Sequence, residues 1–182
     1  KALINSLQYR NDAGDTPTTG SRNFTLVSVK DSGGTANAGA DTVTLNVSSN
    51  VSVTAVNDAP TASLTGLNPG FTEQQASAAT LFNATALSTV ETGQNITTIV
   101  LTASGLVDGA NDKLLVNGTA VSINAAGTAS IAASGSIPAV SVSTVVQSGV
   151  STVTLTGTFT ADEAKALINS LQYRNDAGDT PT

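Results

Sequence analysis

The chain of 182 residues has no cysteine, histidine, methionine or tryptophan, and only 3% of it is aromatic. Each absence excludes a class of chemistry. Without cysteine there is no disulfide framework, no thiol nucleophile and no thiolate zinc site. Without histidine the commonest general base is gone, which leaves carboxylates and serine–lysine schemes as the only routes to catalysis. Four Phe and two Tyr are too few for the stacking platforms that sugar sites use. Basic residues number 7 against 13 acidic ones, for a net charge of −6. They are scattered, so nothing marks a nucleic-acid or anionic-lipid surface, and cations are the more natural partners. No apolar run approaches the roughly 18 residues that span a bilayer.

What is present is a repeat. Residues 1–18, KALINSLQYRNDAGDTPT, recur without a single substitution as residues 165–182, at an offset of 164 residues. Shared strand propensity does not produce eighteen consecutive identities, so the sequence points to a tandem array with a period of 164 residues. The chain is 40% hydrophobic, mostly Val, Ala, Leu and Ile, so one period is long enough to enclose a core.

Apolar residues alternate with polar ones over 23–30, 42–55, 96–103, 113–117, 119–123, 139–147 and 150–159, between Gly, Asn and Asp clusters. Many short strands of this kind predict an all-β, antiparallel sandwich. In the segment 42–55, Val43, Leu45, Val47, Val51 and Val53 share one parity and are expected on one face. Thr152, Thr154, Thr156, Thr158 and Thr160 form a polar ladder, which β-branched residues on a solvent face explain. Asp12, Asp15, Asp31, Asp41, Asp108 and Asp112 sit where Asp supports turns.

One segment departs from the strand pattern. Thr160-Ala161-Asp162-Glu163 fits a capping box, and Ala164, Leu167, Ile168 and Leu171 follow at helical spacing. A short crossover helix near 161–171 is predicted, leading into a strand at 171–175, with residues 2–9 repeating its second half. Leu167, Ile168, Leu171, Val43, Leu45 and Val153 are expected to be buried together.

Several landmarks then resemble a known family. Val56-Asn57-Asp58-Ala59-Pro60-Thr61 is similar to the linker that closes each cadherin-like repeat of giant bacterial surface adhesins, the type I secreted proteins of the RTX and VCBS kind. Gly70-Phe71-Thr72-Glu73 looks like the family's first-strand motif ending in Glu. Ala164 to Asn175 resembles its short helix and Tyr-Arg-Asn strand, and Asp31-Ser32-Gly33-Gly34 precedes the final strand. The resemblance implies an Ig/cadherin-like sandwich, with residues 1–58 the closing half of one repeat, 59–182 the opening part of the next, and the junction at 56–61. It also implies calcium at that junction, with ligands Glu73, Asp31, Asn57 and Asp58. The family's Asp-x-Asp pair is here Thr89-Val90-Glu91, with Glu91 the single carboxylate, and Lys30 stands beside Asp31 where Asn is usual.

The expectation is therefore a structural or adhesive repeat of a long extracellular fibre on a bacterial surface or in a matrix. It is expected not to be an enzyme, and its partners are identical neighbouring repeats. Two other readings are a glycan-binding module and a subunit of a noncovalent matrix filament.

Overall fold

A computed structural model describes residues 1–178. The last four residues of the second copy of the repeated segment, 179–182, lie outside the described residues. The chain divides into two compact units, Lys1–Asn57 and Asp58–Thr182.

The first unit holds a helical turn α1 (Ala2–Asn5) and a hairpin of β1 (Gly20–Lys30) and β2 (Thr42–Val53). These strands pair antiparallel with each other alone, and no residue of 1–57 is buried. The pairing is interrupted once. Leu26 faces Val47 and Ser28 faces Thr44, so Leu45 and Asn46 together oppose Val27, with Asn46 at a φ of 87°. This β-bulge corrects the expectation that the five apolar residues of β2 share a face. On one side of it Val47, Val51 and Val53 share a face with Phe24 and Leu26; beyond it Val43 moves to the opposite face, with Val29. A second expectation falls with it: Val43 is 53% exposed and Leu45 only half-buried, so neither joins the core.

The second unit contains β3 (Thr61–Gly66), β4 (Ala79–Thr80), β5 (Phe82–Ser88), β6 (Ile96–Ser104), β7 (Asp112–Val116), β8 (Thr119–Ser122), β9 (Gly127–Ile131), β10 (Val140–Gln147) and β11 (Val150–Phe159). Helix α2 (Ala161–Asn169) and strand β12 (Gln172–Asn175) complete it. All ladders are antiparallel, in sheets of order β6-β11-β10-β9, β4-β12-β7-β8 and β3-β5. Two-residue turns fix two registers. Asn117-Gly118 joins β7 to β8 and Ser148-Gly149 joins β10 to β11, all four residues having positive φ, as turns matched to strand twist require.

The two four-stranded sheets enclose one core. Leu114, Val116 and Val121 contribute from one sheet, Val140, Val142, Val153, Leu155 and Phe159 from the other, and Ala164, Leu167 and Leu171 close it from α2 and its exit. The polar ladder on β11 faces away from this core. Gly157 is required where β11 shifts register, because a Cβ there would lie 2.3 Å from the ring of Phe159.

Helix α2 forms for the reason expected. The Thr160 hydroxyl accepts from the Glu163 N–H and the Glu163 carboxylate accepts from the Thr160 N–H, so two orphan donors are satisfied. Thr160→Ala is expected to cost about 1 kcal/mol in urea denaturation, since the hydroxyl that accepts from the Glu163 N–H is lost while the backbone N–H at 160 keeps its bond to the Glu163 carboxylate. The motif Gly70 to Glu73, expected as a strand, is instead loop between β3 and β4. A turn around Gln74 (φ 58°) bonds the Gln75 N–H to the Thr72 carbonyl and ends any extended run.

The repeated segment occurs in two settings. Local features are the same in both: Ser6 and Ser170 each bond the carbonyl three residues back at 2.7 Å, and Arg10–Asp12 and Arg174–Asp176 both pair. Non-local features are not. Leu167 and Leu171 are buried, whereas Leu3 is 77% and Leu7 69% exposed, and the residues matching β12 form no strand.

Candidate functional site

The carboxylates singled out in the sequence lie in three places. Asp31 belongs to the first unit, where its Oδ1 accepts from the Gly33 N–H at 2.8 Å and its own N–H reaches the Asp41 carbonyl at 2.8 Å. That is turn chemistry. Lys30 pairs with Asp41 at 3.1 Å rather than with Asp31, and the Thr42 hydroxyl and Lys30 hold the Asp41 carboxyl below its usual range. Asn57 ends the first unit and Asp58 begins the second.

Asp58 and Glu91 are brought together. The Asp58 N–H donates to Glu91 Oε1, while Glu91 Oε2 is buried and has no hydrogen-bond partner. A tight turn holds Glu91 there: its N–H bonds the Thr89 carbonyl at 2.9 Å across Val90, whose φ is 69°. A β-branched residue in the left-handed region is strained, and persists only where its surroundings enforce it. The Thr89 hydroxyl on the Glu91 carbonyl and the Ser88 hydroxyl under the Val90 N–H supply that support.

Glu73 is elsewhere, in a cavity of about 230 Å³ lined by Phe71, Glu73, Asp108, Tyr173, Asn175 and Gly178. Sequence reasoning assigned Asp108 and Asp112 to a turn and missed their second role. Asp112 is 2% exposed and both of its oxygens are engaged, Oδ1 by the Tyr173 hydroxyl at 2.6 Å and Oδ2 by the Asp108 N–H at 3.0 Å. Asn175 donates to Asp108, and the Asp176 N–H to the Asn111 carbonyl at 2.9 Å. These bonds fasten β12 to the 108–112 loop. Burial and the bond to Asp112 push the Tyr173 phenol up to about 12, so it is a donor at neutral pH and no base. A Tyr two residues before an Asn was the available signal in the sequence; in the fold its ring meets Phe71 edge-on at 5.5 Å. Nothing in the sequence placed Asp112 opposite it.

Among the described residues no three carboxylates converge as a metal site would require. Within the second unit Asp58 and Glu91 meet, while Glu73 lines a cavity that includes neither. Asp58 with Glu91 fits part of a ligand set, through the orphaned Oε2. No helix among the described residues is long and apolar enough to cross a membrane. Comparison with protein-family models, curated proteins and solved structures gave no match.

Proposed function

We propose that this chain is a structural or adhesive repeat module of a long extracellular fibre, non-catalytic, in which cadherin-like units follow one another and calcium stiffens the junctions. The observation that carries this reading is the repeated segment. Eighteen residues recur without a substitution, and where the second copy is described its Leu167 and Leu171 are built into a closed core while the matching Leu3 and Leu7 lie uncovered, which supports a unit made to recur along an array. The composition supports it further: a chain free of Cys, Met, Trp and His has little that oxidises or reacts outside a cell.

Calcium would be held by Asp58 and Glu91, whose free Oε2 supplies a hard anionic ligand, and would bridge charges that otherwise repel. Extracellular modules bind calcium with dissociation constants of roughly 10⁻⁴ to 10⁻³ M, so calcium at about ten to a hundred times that concentration adds about 1.4 to 2.7 kcal/mol per site. The expected result is a melting temperature a few degrees higher in millimolar calcium than in excess chelator, with the difference abolished in Asp58→Ala. Equal melting temperatures in the two conditions remove calcium from the reading.

A further inference from the structure

We propose that the hairpin β1–β2 docks onto the second unit of another copy of this chain, with its Phe24 face covering an open flank of that unit's sandwich. This rests on the repeat reading above and specifies the partner and the surface.

The hairpin is amphipathic on its own terms. Between Gly20 and Leu26 and between Val47 and Val53, one face carries Phe24, Leu26, Val47, Val51 and Val53, with Arg22 and Ser49 among them; the other carries Ser21, Asn23, Thr25, Ser48, Asn50 and Ser52. The Thr25 and Ser48 hydroxyls bond across the polar face at 2.8 Å. An antiparallel sheet with one solvated face normally packs the other on a core, and an isolated two-stranded hairpin is marginal in water. Yet Phe24 is 47% and Val47 64% exposed.

The second unit has the complementary defect. A cavity of about 320 Å³ opens between its sheets, lined by Leu81, Phe82, Leu101, Leu106, Ile123 and Tyr173 among others. Five consecutive residues of its rim, Leu101 to Gly105, come from the end of β6 and the residue after it, and β6 is an edge strand. An apolar groove beside unpaired main-chain groups is what an added hairpin covers.

The repeated segment says which hairpin. Tyr9 in the first unit packs against Phe24 with ring centroids 5.3 Å apart, and Tyr173 is the residue matching Tyr9 in the second copy of the segment. Tyr173 already has Phe71 on one side and lines the apolar groove as well. Carrying the Tyr9–Phe24 contact over to Tyr173 sets a Phe24 ring at the mouth of that groove, where Leu81, Phe82 and Leu101 are its neighbours.

A hairpin at one site and a groove at another make a heterologous contact, which grows without limit unless its rotation closes a ring, and the docking proposed here is of the open kind. Sedimentation of the full chain over rising concentration, without added calcium, is expected to show species growing in steps of one 18.0 kDa chain. Phe24→Asp and Val47→Asp, both at exposed positions and so compatible with folding, are expected to abolish the growth. Val145→Asp, on an exposed valine of β10 away from the groove, is expected to leave it intact. The proposal is overturned by a chain that stays monomeric at the millimolar concentrations that detect weak association, by a closed dimer, or by equal growth in both hairpin variants. Since calcium takes no part, the docking surface and the junction reading fail separately.

Discussion

Leu167→Ala is expected to destabilise the second unit by about 2 to 5 kcal/mol, and Leu3→Ala, the same residue of the same eighteen-residue segment, by less than about 0.5 kcal/mol. Leu167 is fully buried in the core beneath α2, so truncation removes its transfer energy and leaves a cavity that close-packed neighbours only partly refill. Leu3 is 77% exposed and loses nothing comparable. The substituted residue and the residues after it are identical in the two copies, so the difference reflects mainly the burial and the capped helix that the second copy alone has in this structure. Urea denaturation of the two variants, followed by circular dichroism, checks it. Equal losses would mean that the first copy is buried in solution, as it would be in an assembly that covers α1.

Tyr173→Phe is expected to cost about 2 kcal/mol while Tyr9→Phe is neutral. Removing the hydroxyl leaves Oδ1 of Asp112, a residue only 2% exposed, without its donor, whereas the Tyr9 hydroxyl meets only Asn11, at 3.3 Å. The pH dependence has a definite sign. The phenol of Tyr173 ionises near 12 in the folded chain, raised from 10.0. Its contribution is therefore fully present below pH 10 and is lost as pH rises from 10 towards 12. Stability of the native chain should fall more steeply across that window than that of Tyr173→Phe. Parallel profiles would show that the Tyr173–Asp112 bond does not form in solution.

The elements legible in the sequence were those with strong local causes. The capping box at Thr160 and the long alternations of β6, β10 and β11 needed only neighbours in the chain. The short strands β3, β4, β5 and β9, rich in Ala, Ser and Thr, carry too little periodicity to stand out, and form because the larger sheets and the packing of α2 on β5 give them a place. The reversal of face within β2 was hidden because one extra residue against Val27 leaves the sequence alternation unbroken while rotating the side chains beyond it. The candidate site was legible in pieces. Glu91 and Asp58 were both named, but their meeting depends on a strained turn at Val90 that no propensity predicts. Glu73 was placed with them on a resemblance, but it lines a cavity that includes neither, and residues 70–78 do not form the strand expected to carry it.

The bulge at Leu45 and Asn46 also bears on solubility. Strands of 11 and 12 residues with two unpaired edges are long enough to stack edge to edge into cross-β ribbons, which would compete with any ordered docking. A bulge in mid-hairpin bends one strand and raises its twist, so successive hairpins cannot lie flat on one another. A chain in which Asn46 is deleted would present a flatter, uninterrupted ladder, with Leu45 opposite Val27 and Val43 still opposite Val29. Such a chain would be drawn towards indiscriminate ribbons, whereas the native hairpin keeps the irregular shape that only a matching groove accommodates.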